Sequence, residues 1–177
     1  SDCSAYENTG DGIYAGDGST ISGCSAYENT DNGIVAGNGS TISGCSAYQN
    51  TDFGIVAGNS VTISGCTASQ NTSDGIAASS DSIITGNTCN KNGHLTGDGA
   101  GIRVSGWDNR IDSNNVTDND RGIEVESSGN LIIRNSASGN AINYTIVLNN
   151  RVGEIVSAPD SGNISGDTGG MGVGSTD

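Results

Sequence analysis

The sequence predicts an all-β fold, a three-sided parallel solenoid of about seven coils, and three observations lead there. The first is repetition. CSAYENTGDGIYAGDGSTISG from Cys3, CSAYENTDNGIVAGNGSTISG from Cys24 and CSAYQNTDFGIVAGNSVTISG from Cys45 follow one another with a period of 21 residues and no gap. The second is the spacing inside each copy. Apolar and polar residues alternate in the triplets SAY, IYA and TIS, a period of two rather than the roughly 3.6 of a helix. The third is composition: 32% hydrophobic residues, 29 Gly, one Phe, one Trp, one Met and one Pro cannot furnish a helical bundle. A fixed period means a stack of like units, each burying its apolar face only against its neighbours, so a narrow core suffices. Low hydrophobicity with a net charge of −14 is also the composition of disordered chains, and the regular period is what argues against disorder.

Taken in order, the coils begin with the three copies above and a fourth from Cys66, CTASQNTSDGIAASSDSIITG. The coil from Asn87 to Ser113 is six residues longer, Asn114 to Arg134 returns to 21, and a degenerate copy starts at Asn135. Repeats therefore occupy residues 1–156, and the Gly-, Ser- and Asp-rich segment 157–177 is expected to be a flexible tail or a strand that pairs elsewhere. Three strand triplets and their turns use up one coil. A leucine-rich repeat would need a Leu ladder, and the chain has three Leu. Stacked, the copies align Ile13, Ile34, Ile55, Ile76, Ile102 and Ile123 in one inward column and Ile21, Ile42, Ile63, Ile84, Ile111 and Ile132 in another. Ala5, Ala26, Ala47 and Ala68 form a third, Ala15, Ala36, Ala57 and Ala78 a fourth. Asn8, Asn29, Asn50, Asn71, Asn92, Asn119 and Asn140 align in a turn, where each amide would meet the next about 4.8 Å away.

The recurring order of Ile, Ser, Gly, a turn residue, a small strand, Asn and then Gly-Ile resembles the right-handed parallel β-helix repeat family. Its wider superfamily includes pectate lyases, polygalacturonases and phage tailspikes. The resemblance covers Cys3 to Val156 and implies a right-handed parallel β-helix, the hand that parallel crossovers take almost without exception. It implies little about activity, because this coil carries lyases, hydrolases, adhesins and inert scaffolds alike.

Cys3, Cys24, Cys45 and Cys66 share a column, while Cys89 falls in the Ala column. A bridge between ladder neighbours would be strained, so the reading is buried free thiols packing as small hydrophobes. No CxxC pair exists and His94 lies outside the column, which argues against zinc. Tyr6, Tyr27 and Tyr48 should form an outward aromatic strip, either stacking on sugar rings or simply covering a sheet face. Asp11, Asp31, Asp52 and Asp74 recur at similar places, where their oxygens either collect Ca²⁺ or stay apart in water. No other cofactor is suggested.

Residues 1–90 contain no Lys or Arg, whereas 91–177 contain all six basic residues. The lengthened fifth coil holds His94, Arg103, Trp107, Asp108 and Arg110, and the next holds Arg121, Glu124 and Glu126. An insertion in a solenoid becomes a loop on one face, so a ligand-binding site is expected there, with Trp107 and His94 as candidates. Arg103, Asp112 and Glu124 are the residue types a uronate lyase would use, but no Arg-x-Lys segment or other catalytic motif accompanies them. The alternative reading is that Arg103, Glu124, Arg121 and Asp120 are exposed cross-coil ion pairs.

The acidic balance repels a phosphate backbone, which excludes nucleic acid as a partner. No apolar run approaches the roughly 18 residues of a membrane span. The first coil begins at residue 3 with no cap before it, so its open edge is expected to self-associate. Two functions are left. One is a non-catalytic extracellular or cell-surface structural protein assembling end to end into filaments or a layer. The other is a carbohydrate-binding or polysaccharide-degrading protein.

Overall fold

A computed structural model of the chain describes residues 1–93 and 98–153, with the backbone of the strand Val156–Ser157. The rest of the predicted tail lies outside the described residues. The alternating triplets become the strands the sequence predicts. Ser4–Tyr6, Ser25–Tyr27, Ser46–Tyr48, Thr67–Ser69, Thr88–Asn90, Asn115–Thr117, Ser136–Ser138 and Val156–Ser157 form sheet A. Ile13–Ala15, Ile34–Ala36, Ile55–Ala57, Ile76–Ala78, Ala100–Val104, Arg121–Val125 and Ile142–Ile146 form sheet B. Sheet C runs from Thr20–Ser22 through Thr41–Ser43, Thr62–Ser64, Ile83–Thr85, Arg110–Asp112 and Leu131–Ile133 to Arg151–Val152. Every pairing is parallel and in the register the repeat dictates, Ile34 opposite Ile55 and Ile42 opposite Ile63.

The inward columns are those read from the sequence. Ile34, Ile55, Ile76, Ile102 and Ile123 have no exposed surface, nor do Ile42, Ile63, Ile84, Ile111 and Ile132. At coil seven Tyr144 replaces Ile in the first column, and its buried hydroxyl donates to the Asn135 carbonyl at 3.1 Å. Burying such a phenol unpaired would be unfavourable, and the carbonyl removes that penalty.

Each coil turns three corners, and each described corner carries a residue in the left-handed region, with Gly93 as a second one at the lengthened corner of coil five. Between sheets A and B these are Glu7, Glu28, Gln49, Gln70, Lys91, Asp118 and Gly139. Between C and A they are Asp2, Gly23, Gly44, Gly65, Gly86, Ser113 and Arg134. A non-glycine residue is strained there by roughly 1–2 kcal/mol, and side-chain ladders hold the A–B corner in spite of it. Asn50 Nδ2 donates to Asn71 Oδ1 at 2.9 Å and to the Ala26 carbonyl at 3.2 Å, while the Asn50 backbone N–H donates to the same Asn71 Oδ1 at 3.0 Å. The amide ladder thus continues from Asn8 to Asn140 and satisfies the buried corner backbone.

The cysteine column shows more than the packing expected of it. Cys24, Cys45 and Cys66 are buried free thiols, and Cys3 is exposed. The Cys3 N–H donates to Cys24 Sγ at 3.4 Å and the Cys45 N–H to Cys66 Sγ at 3.5 Å. At the next step the Cys66 N–H donates to Asn87 Oδ1 at 2.9 Å, and the column continues as Asn114 and Asn135. The thiols of Cys45 and Cys66 face the carbonyls of Ile21 and Ile42 at 3.7 Å, as the Asn87 amide faces that of Ile63 at 3.0 Å. Each cysteine is a weak substitute for the corner asparagine, using sulfur as both acceptor and donor. Cys89 sits elsewhere, paired between Ala68 and Val116 in the core of sheet A.

Candidate functional site

Sheet B carries its outward residues on a floor of small side chains, Val35, Val56 and Ala77, which gives way at the fifth and sixth coils to Arg103 and Glu124 on adjacent strands. Most of the extra residues of the fifth coil enter between Asn92 and Ile102, at the A–B corner, which sets Asp98 beside this floor. The result is an open cleft of about 410 Å³ lined by Phe53, Ser73, Asp74, Asp98, Arg103, Arg121, Glu124 and Glu126.

Its innermost residue is Asp74, buried at the corner that precedes Ile76. Asp74 Oδ1 accepts the Ala100 N–H at 2.7 Å, and Oδ2 lies 2.8 Å from Arg103 Nε as an ion pair. Arg103 also approaches Glu126 at 3.6 Å and spans the Phe53 ring at 5.8 Å. Arg121 lies 2.5 Å from Asp98 and 3.4 Å from Glu124. Burial pushes the Asp74 carboxyl up against the pull of the Ala100 N–H and Arg103. Burial likewise raises Glu124 against Arg121. The cleft therefore combines guanidinium donors with two carboxyls that hold protons more readily than exposed ones, an arrangement suited to a ligand rich in hydroxyls or carboxylates.

The structure brings together Arg103 and Glu124 among the sequence candidates, and leaves Asp112 apart. Asp112 lies on sheet C, where Arg110 reaches it at 2.8 Å, Ser113 at 2.8 Å, and Arg134 closes from the next coil. Hydrogen bonds from Arg134 first, then Arg110 and Ser113, hold its carboxyl below the usual range. It is a clamped anion, with no free valence for proton transfer. Trp107 is 60% exposed at the B–C corner and is not part of the cleft lining. His94 lies outside the described residues. Tyr6 and Tyr27 stack with centroids 4.9 Å apart and planes 5° from parallel. Their facing rings cover each other, and Tyr6 stays 52% exposed. The four aspartates occupy two columns: Asp11 aligns with Asn32, and Asp31 with Asp52. Among the described residues no group of three or more His, Cys, Asp or Glu side chains is placed to hold a metal ion.

Sequence reasoning missed Phe53 as a site residue, and it singled out Asp74 only as one of four aspartates for Ca²⁺, not as a partner of Arg103 in the cleft. Asp74 precedes Gly-Ile just as Asp11 does, and only the lengthened coil, by supplying the Ala100 N–H and Arg103, distinguishes it.

Three parallel sheets wound around one narrow core, with a polar cleft on one outer face, define a parallel β-helix with a surface site. The profile of the right-handed β-helix region matches residues 1–142, and the chain belongs to that family. No curated protein matches its sequence. Among solved structures it is similar to the A-module of the Azotobacter vinelandii mannuronan C-5 epimerase AlgE4, with a TM-score of 0.74, 19% identity, and coverage of 92% of this chain and 56% of that one. The AlgE6 A-module of the same organism gives 0.71 and 19%, covering 88% and 56%. The pectate lyase Pel9A gives 0.63 and 18%, covering 96% and 54%. The chain thus spans about half the length of these proteins, and at such identity the likeness is one of fold.

Proposed function

We propose that the chain is a polysaccharide-binding β-helix, holding an extended uronate-containing glycan across the coils of sheet B at Arg103 and Arg121. The observation that carries this reading is the cleft itself: two guanidiniums and four carboxylates on successive coils of one flat face. Arg103 and Arg121 stand on adjacent strands about 4.8 Å apart, so one linear polymer reaches both, and planar guanidiniums match carboxylates and hydroxyl pairs. The structural neighbours, named for action on mannuronan and pectate, support the same ligand class. Binding is favoured over turnover because Asp112, the third candidate for uronate chemistry, is held on another sheet. A glycan ligand implies an extracellular or cell-surface setting.

Calorimetry with mannuronate and galacturonate oligomers tests the proposal. Arg103→Ala and Arg121→Ala should each weaken binding by about tenfold, a change of about 1.4 kcal/mol, while Tyr27→Ala should leave it unchanged. Retention of full affinity by both arginine variants would refute the reading. Acid should strengthen binding, because Asp74 and Glu124 are raised and become neutral first as pH falls, which removes repulsion of the uronate.

A second reading, association through the first coil, rests on Ile13 and Ala15, half-buried where Ile34 and Ala36 are buried. A preceding coil or another copy would cover them. Sedimentation that stays monomeric across a wide concentration range argues against the second copy.

A further inference from the structure

We infer that the column Cys3, Cys24, Cys45 and Cys66 is a binding site for soft monovalent metal ions, Cu(I) or Ag(I), each held linearly between two successive thiolates. Four cysteines stand on one corner of four consecutive coils, in a register fixed by the sheets on either side: Ser22 pairs with Ser43 and Ser43 with Ser64, while Ser25 pairs with Ser46 and Ser46 with Thr67. All four are free thiols. Their step along the column is the strand spacing, about 4.7–4.9 Å. Two metal–sulfur bonds of about 2.3 Å each, placed end to end, span about 4.6 Å. A cation midway between neighbouring sulfurs is therefore within bonding reach of both, with no movement of the coils.

The same geometry selects the metal. In-register thiols lie on one line, so an ion between two of them has only two sulfur partners. Among the described residues no third His, Cys, Asp or Glu completes a chelate. Zinc, which takes four ligands in a tetrahedron, is excluded by this arrangement, whereas soft ions bind thiolate in preference to oxygen donors. Backbone N–H groups already point at the sulfurs of Cys24 and Cys66 at 3.4 and 3.5 Å, and such donors stabilise sulfur that carries negative charge. A sulfur cannot bond two metals on opposite sides along one line, so each thiolate serves one ion: Cys3 with Cys24 and Cys45 with Cys66 take up two monovalent ions, and the four released protons leave one net negative charge on each pair. Burial favours these loaded pairs over isolated thiolates.

Silver titration followed by native mass spectrometry tests the site. The wild-type protein should take up two Ag(I), and Zn(II) should not displace them. Two variants with equal numbers of thiols separate pair geometry from thiol content. Cys24→Asn with Cys66→Asn keeps Cys3, Cys45 and Cys89 but no adjacent pair, and it copies the natural corner residues Asn87, Asn114 and Asn135, so the fold is retained. Cys3→Ser with Cys89→Ala keeps the run of Cys24, Cys45 and Cys66. The second variant should bind one ion tightly, and the first should bind silver at least about tenfold more weakly. Equal uptake by both variants overturns the site. So does an X-ray absorption spectrum of Cu(I)-loaded wild-type protein with three or four sulfurs per copper rather than two.

Discussion

A single corner asparagine shows how strongly one side chain is coupled to its neighbours. Asn71 accepts both the backbone N–H and the side-chain amide of Asn50, and its own amide donates to Asn92 at 2.9 Å and to the Ala47 carbonyl at 3.2 Å. Asn71→Ala leaves the buried Asn50 N–H without an acceptor, and each such loss destabilises by about 1–3 kcal/mol. Urea unfolding should show a total loss of about 2–4 kcal/mol; an unchanged midpoint would mean that water replaces the amide. Asp112 gives the corresponding test for charge. Its carboxyl is depressed by Arg134, Arg110 and Ser113, so the stability it contributes is complete above the unfolded carboxylate pKa of about 3.9 and is lost as pH falls toward its folded value. Asp112→Asn should therefore lower the melting temperature at pH 7, and the gap between variant and parent should close in acid. A gap that widens in acid contradicts the clamp.

Glycines show how an element constrains its residues, for two different reasons. At Gly54 a Cβ would lie 2.6 Å from Asn71 Nδ2 and 2.6 Å from the Gly75 carbonyl oxygen. At Gly44 nothing lies within 4 Å, and the only obstacle is a φ of +59°. Gly44→Ala should destabilise by about 1 kcal/mol, the penalty of the left-handed conformation. Gly54→Ala should exceed it severalfold, because backbone and the amide ladder would both have to move. Equal effects in thermal melts would show that the coil separation relaxes. These positions explain what could be read in advance. The Ile, Ala and Asn columns were legible because a 21-residue period carries each residue type onto itself, so one correct register fixes all the others. The cleft was only half legible. Arg103 and Glu124 stood out as rare charges, but Asp74 acquires its role from an N–H and a guanidinium brought by a coil whose length departs from the period. The cysteine column was read as apolar filling because the sulfur's acceptor role depends on where the N–H of the preceding coil points.

Along the whole molecule the core widens from one end to the other. In sheet B the second inward column is Ala15, Ala36, Ala57 and Ala78 in the first four coils, then Val104, Val125 and Ile146. In sheet A the Ala column passes to Cys89 and Val116 before returning to Ala137. Each buried CH₂ contributes about 0.8 kcal/mol, so the later coils hold more apolar stabilisation per turn. In a stack whose units touch only their neighbours, unfolding starts where the local units are weakest. Hydrogen exchange should therefore be faster in the strands of coil two, Ile34–Ala36 and Thr41–Ser43, than in Arg121–Val125 and Leu131–Ile133 of coil six. The reverse order would mean that the acidic cleft, rather than the width of the core, sets local stability.

The like-on-like register has a consequence for heredity. Where three successive copies of nearly the same 21 residues are encoded by similar DNA, unequal recombination loses or gains whole coils, and every column continues when one complete 21-residue unit is removed. Excising Cys24–Gly44 would join Gly23 to Cys45 with Ile13 facing Ile55 and Asn8 facing Asn50. All residues that line the cleft come from the third coil onward. The length of the rod and its binding face can therefore vary independently over generations.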